Sequence, residues 1–300
     1  MPSPSTTGQF SSLLAPGLRK IYTEELKDRI TEYDKFFHVI TSKRNYEDDL
    51  QVALLGTTPT KVQGGPTTFD SPIQGSSVRY THTSFGLGFR VTTEMWEDDL
   101  YGVMKKASKD LAGANAETVE TQAWDIINNA TDATKYAGFD ALALASTAHT
   151  RLGGGTSANR PTTDVQLSVT ALQAAVESFE NMVNERGRKI LAKPWRLIIP
   201  VELKWVAREI LGSQYKPYAA NNEINALMDE DLSFFVSHYL TDTNNWALTG
   251  RNHDLKVFWR RRPRFESSDD FSTGDALFKT FFRMTQGFGS WREFYYSAPA

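Results

Sequence analysis

From about Thr93 to Ala130 the chain carries apolar residues at helical spacing for longer than a compact core requires. Trp96, Leu100, Met104, Ala107, Leu111 and Ala114 recur at steps of three or four, and after one longer step the pattern resumes at Val119, Ala123 and Ile126. This spacing gives an α-helix one apolar face. Thr93 stands at the N-cap position, and Glu94, Glu97, Asp98 and Asp99 bring negative charge to the positive end of the helix dipole. Lys106 and Asp110, four apart, predict a weak ion pair on the outer face. At ~1.5 Å per residue the helix would be roughly 55 Å long, far beyond the usual length of about 11–12 residues. Gly102 and Gly113 are its weak points. A lone helix of this length, with a thin stripe partly lined by alanine, supports a flat object better than it fills a core. It reads as a spine.

Composition narrows what the spine serves. With 300 residues, 40% apolar and 12% aromatic, the chain can bury one large or two smaller cores. Lys and Arg number 33 against 36 Asp and Glu, a formal net charge of −3 that marks neither a dedicated nucleic-acid binder nor a membrane-surface protein. Cysteine is absent, which removes disulfides, thiolate nucleophiles and Cys-held metals and fits synthesis in a reducing cytoplasm. The opening MPSPSTTGQFSSLLAPG has neither the basic start nor the long apolar run of a signal peptide, and no segment approaches the ~18–20 apolar residues of a membrane span. A soluble intracellular product is expected.

In order, residues 1–16 read as a mobile Ser/Thr/Pro-rich tail. A helix is predicted from about Gly17 to Phe37, with Leu18, Tyr22, Leu26, Ile30, Tyr33 and Phe37 on one side, and a neighbouring subunit is a natural surface for it. Between Gly56 and Ser77 stand four Gly, three Pro and eight Ser/Thr in 22 residues, punctuation too dense for a helix. The flanks, Leu50–Leu55 and Val78–Val91, favour strands, so 48–91 predicts a two-stranded excursion with a pliable tip. Residues 131–164 form a second loop-rich stretch and a domain boundary. Beyond it, helix 170–186 stopping at Gly187, strand WRLII (195–199) and a helix opened by Pro200 and closed by Gly212 predict an α/β region. Strands follow at Leu232–Val236, Trp246–Thr249 and Leu255–Trp259. The aromatic segments 276–284 and 290–297 are expected to return beside the spine.

Catalytic patterns fail one after another. There is no phosphate loop, dinucleotide fingerprint, nucleophile elbow or HExxH helix. The histidines (His38, His82, His149, His238, His253) are scattered singly, without the i, i+4 pair of a metal helix. Ser146 and His149 share a loop but lack an acidic orienter nearby. Gly153–Gly155 reads as a flexible turn, and the acids of MDEDL (228–232) as solvated. The sharpest charge feature is WRRRPRF (259–265). Its arginines are expected to pair with Glu266, Asp269 and Asp270 or with acids of another subunit, ahead of nucleic-acid phosphates. No catalytic residue, cofactor or metal site is expected.

The order of arm, β-excursion, spine, α/β region and aromatic tail resembles the Hong Kong 97 fold of tailed-bacteriophage major capsid proteins. Locally, VTTEMWEDDLYG (91–102), LASTAHTRLGGGTSAN (144–159), LIIPVELKWVAREIL (197–211), NNEINALMDEDLSFFVSHYLTDTNNWAL (221–248) and FRMTQGFGSWREFYYS (282–297) resemble blocks of Mu-like head subunits. The resemblance implies an α+β fold divided as N-terminal arm (1–45), extended β-loop (46–91), spine helix and peripheral domain (92–135), α/β axial domain (136–254) and a return to the peripheral domain (255–300). It implies a structural, non-enzymatic protein that assembles with itself as pentamers and hexamers into an icosahedral virion head. That head is built in the host bacterial cytoplasm and encloses double-stranded DNA without sequence-specific contacts. A separate scaffolding protein, a portal and a decoration protein are the implied partners, with no membrane. Subunit contacts are expected at Lys61, Phe69 and Arg79 of the loop, at Glu97 and Asp98 of the spine entry, and at Arg260, Arg261, Arg262 and Arg264. Lys61 lacks the acidic neighbour of a Lys–Asn crosslink, and none is expected. An encapsulin-type nanocompartment shell, or an enzyme with an unrecognised site in 139–251, are the alternatives.

Overall fold

The computed structural model describes residues 8–92, 94–95, 101–217, 223–270 and 272–299. In chain order the elements are α1 (Gly8–Asp28), β1 (His38–Thr41), β2 (Tyr46–Ala53), β3 (Ile73–Thr81), β4 (Thr83–Val91) and α2 (Tyr101–Asn128). There follow β5 (His149–Thr150), β6 (Thr156–Ser157), α3 (Val169–Glu180), β7 (Arg196–Ile199), α4 (Lys204–Gly212), β8 (Ser233–Val236), β9 (Trp246–Thr249), β10 (Lys256–Asp269), β11 (Ala276–Gly287) and β12 (Phe294–Ser297). The chain divides into two units, one of residues up to Glu47 with Thr81–Ala123 and Val257–Gln286, the other of Asp48–Tyr80 and Trp124–Lys256 with the chain from Gly287. Among the described residues no helix is long and apolar enough to cross a membrane.

The first unit is built on α2, whose described part has 28 residues. Met104, Leu111 and Ala112 of α2 pack with Leu18 and Tyr22 of α1, Val91, Phe265 and Phe278 in one buried cluster. The buried stripe is wider than its apolar residues, because Ser108, Asn115 and Glu120 are buried with it. Each satisfies a polar group of the segment that covers it. Ser108 donates to the Leu18 carbonyl (2.9 Å), Asn115 to the Tyr22 hydroxyl (2.8 Å), and the Glu120 carboxylate accepts from the Glu32 and Tyr33 amides (2.7 and 3.0 Å). Buried polar groups must be paired this way. The sheet runs β1-β10-β11-β4. Antiparallel β4 and β11 set Phe85 opposite Phe282 and Phe89 opposite Phe278, ring centroids 5.1 Å apart in each pair.

The second unit holds a sheet of order β12-β9-β7-β8, with β7 and β8 parallel and the other pairs antiparallel. Leu197, Ile198 and Ile199 are fully buried, as a continuous apolar run in a central strand requires. Ser168 caps α3 by accepting from the Ala171 amide. The β2–β3 ribbon and the small β5–β6 hairpin complete the unit.

Several expectations are corrected. Residues 8–16 lie in α1 rather than in a tail, and α1 stops at Asp28. Ile30 is therefore exposed, while Tyr33, Phe36 and Phe37 are buried in and after a 3-10 turn. In the single chain α1 lies on α2 and its own sheet, not on an empty face awaiting a neighbour. The division between units falls at Ala123 and Trp124, inside the spine, so 131–164 belongs wholly to the second unit and marks no boundary. Strand β4 leaves the excursion to pair with β11. The chain from Gly287 joins the second unit through β12, because Phe294–Ser297 pairs with β9 instead of returning to the spine. Helix α3 ends at Glu180, and Gly187 (φ 77°) serves a later turn. Lys109, not Lys106, makes an ion pair on α2, with Glu25 (3.7 Å). At Gly113 the Arg29 guanidinium lies close to the helix, 2.5 Å from where a Cβ would stand. Thr93, Trp96 and Asp99 lie outside the described residues.

Candidate functional site

The punctuated segment between β2 and β3 is tied at its base and open at its tip. The Asp70 carboxylate accepts from the amides of Gly56 and Ser71 (2.8 Å each), closing the loop on itself. These bonds, led by that from Gly56, hold its pKa below the usual carboxylate range. Arg186 fastens the closed base to the rest of the second unit, donating to the carbonyls of Leu54 (3.0 Å) and Ser71 (2.6 Å) and to Asp70 (3.2 Å), and Arg188 reaches the Leu55 carbonyl (3.3 Å). Beyond the base, Phe69 is 93% and Val62 79% exposed, and Lys61 is exposed with them. A solvent-facing phenylalanine costs about 1.5–3 kcal/mol relative to burial. The tip thus carries two exposed apolar side chains on a braced base.

Arg79 differs from this set: its Nε and Nη2 donate to the two Asp48 oxygens (2.7 and 2.9 Å), bracing the ribbon within the chain. Glu97 and Asp98 lie outside the described residues. Arg186, Arg188 and Asp70 were not singled out from sequence, because the partners stand 115–133 residues apart and no local pattern links them. Replacing Arg186 with Ala removes three hydrogen bonds of ~0.5–1.5 kcal/mol each. Cleavage within 57–69 by a non-specific protease is expected to rise roughly tenfold, since ~1.4 kcal/mol corresponds to a factor of ten. An unchanged cleavage rate would show that the base is held by something else.

On β10 the arginine run is exposed at Arg260, Arg261, Arg262 and Arg264. Of the acids expected to pair with it, Glu266 pairs with Lys279 and Asp270 with Arg90. Arg262 lies over the Trp259 ring (5.3 Å) and Arg261 over Phe281 (5.8 Å).

The 131–164 stretch holds the nearest approach to a catalytic constellation. His149 is fully buried, with Nδ1 2.6 Å from the Asp140 carboxylate and Nε2 3.0 Å from Asn159 Oδ1. An acidic orienter is thus present, nine residues upstream. Asn159 donates to the Leu144 carbonyl and accepts from the Ser146 amide, so it turns its oxygen to the ring. Both ring nitrogens face acceptors, Trp291 stacks on the ring at 4.3 Å, and no free nitrogen is left to activate the Ser146 hydroxyl. The cluster fastens a loop. Among the described residues no group of three or more His, Asp or Glu is placed to hold a metal.

Comparison with curated sequences gives no match. Among solved structures the fold is similar to that of Microbacterium phage Oxtober96 (TM-score 0.57, 9% identity, 91% of this chain and 94% of that one) and to the capsid of cyanophage P-SCSP1u (0.59, 13%, 91% and 89%). It is also similar to a virus-like particle from Pyrococcus furiosus (0.53, 12%, 94% and 98%). These likenesses establish the α+β fold as that of Hong Kong 97-type shells. The family model described as phage capsid protein matches residues 75–297, about three quarters of the sequence. The chain belongs to the phage capsid protein family.

Proposed function

We propose that this structural capsid protein closes with copies of itself, as pentamers and hexamers, into an icosahedral head around double-stranded DNA. Family membership over residues 75–297 carries the reading. The loop agrees with it, since an apolar tip on a braced base is shaped to lie across a neighbour. On this reading the first unit is the peripheral domain, the second the axial domain, and Lys61 and Phe69 contact another subunit. The chain performs no catalysis. Assembly takes place in the host bacterial cytoplasm with a separate scaffolding protein, and a portal and a decoration protein complete the head. Each contact is small, and closure comes from many of them acting together. The likeness to a virus-like particle supports a second reading, a shell around another cargo, but the phage capsid family favours the head.

Deleting 57–69, which leaves Gly56 and Asp70 to close the base, tests the role given to the loop. The expected product is a folded, soluble subunit with a near-normal unfolding transition that no longer forms particles by light scattering. Particles of normal size would remove the loop from the account.

A further inference from the structure

We propose that the arginine run on β10 receives the acidic turn Asp229–Asp231 of a second copy of this chain. The inference rests on the shell reading above and names one contact within it. Arg260, Arg261, Arg262 and Arg264 are exposed and make no ion pair among the described residues, and Lys279 and Arg90 hold Glu266 and Asp270. The surface continues beyond the strand. Arg264 lines a groove with Arg19, Tyr22, Leu26 and Phe265, a cationic rim over an apolar floor. Burial and the charge of Arg283, with a smaller contribution from Arg260, lower the pKa of His82 against the opposing charge of Glu47. A face this cationic on a chain of net charge −3 calls for an anionic partner.

The matching excess lies in the other unit. Asp229, Glu230 and Asp231 are exposed on a turn after a short 3-10 segment and make no ion pair among the described residues. The cavity they line also holds Glu180 and Glu293 against Lys193 and Arg251, so the surface stays acidic. The two patches are different surfaces of one chain, so contact between them repeats head to tail. Such heterologous contact closes rings and shells. Nucleic-acid phosphates are the competing partner for the arginines, and an acidic chain that must release its contents makes them the poorer one.

Charge reversal separates the possibilities. Arg260→Glu, Arg261→Glu and Arg264→Glu in one chain make one variant, Asp229→Lys, Glu230→Lys and Asp231→Lys a second, and all six a third. Every altered side chain is exposed, so each variant is expected to fold, as checked by circular dichroism and thermal unfolding. Either single-surface variant should raise the concentration needed for particle formation at least about tenfold, since the contact would then set like charges against each other. The six-fold variant should return it close to the wild-type value. A folded six-fold variant that stays unassembled, or an arginine variant that assembles normally, overturns the contact while leaving the shell reading intact. Normal shells that lose salt-sensitive binding of a double-stranded DNA fragment assign the arginines to phosphate instead and also overturn it. A wild type that never assembles, even with the other head proteins, removes the shell reading and the contact with it.

Discussion

Leu111→Asp is expected to abolish folding of the first unit. Leu111 is 4% exposed and packs in the cluster that joins α2 to α1 and the sheet. Truncating a buried leucine to alanine typically costs about 2–5 kcal/mol. An aspartate adds the burial of a carboxylate with no partner, several kcal/mol more even when it takes up a proton. Whole domains have only about 5–15 kcal/mol to lose. Leu111→Ala is the control and should give soluble protein with a lowered unfolding temperature. Leu111→Asp should yield insoluble protein, or soluble protein without a cooperative transition. A soluble Leu111→Asp variant that unfolds like the wild type would refute the packing described for α2.

The second large effect is expected in the 131–164 stretch. The Asp140 and His149 side chains are 4% and 0% exposed, and removing one member of such a buried pair costs about 3–5 kcal/mol. Asp140→Ala should therefore lower the unfolding temperature by roughly 6–20 °C, taking ~2–4 °C per kcal/mol for a unit of this size. Adding His149→Phe should restore part of the loss, because it removes the Nδ1–H donor that Asp140→Ala leaves orphaned. Burial pushes the Asp140 carboxyl up, but the hydrogen bond and charge of His149 outweigh it and leave the pKa below the usual range. A carboxylate whose pKa is depressed on folding contributes stability above its unfolded value, near ~4, and that contribution is lost as the pH falls through the folded value. Wild-type stability should decline through that window more steeply than that of Asp140→Asn. Equal slopes would show that the pair adds nothing to folding.

These two sites also mark what the sequence makes legible. Leu111 was visible because helical spacing is a local signal, and Met104, Val119, Ala123 and Ile126 are buried with it. Buried strands such as Leu197–Ile199 were visible for the same reason. Ser108, Asn115 and Glu120 were not, because a polar residue on a buried stripe makes sense only once its partner on α1 or in the turn after it is in place. Asp140 and Asn159 bracket His149 only after the loop folds back, and Arg186 meets Asp70 across 116 residues. Ile30 was misplaced because the apolar period continues past Asp28, where the helix ends. Phe69 and the arginine run stood out as conspicuous residues, but only the fold shows that Glu266 pairs with Lys279 and Asp270 with Arg90.

Electron microscopy of the purified protein, alone and then with the other proteins of its head, tests the central claim most directly. The account predicts closed shells with five-fold and six-fold clusters, in which residues 57–69 of one subunit lie over another. A uniform monomer under both conditions, at concentrations where capsid subunits assemble, would contradict it.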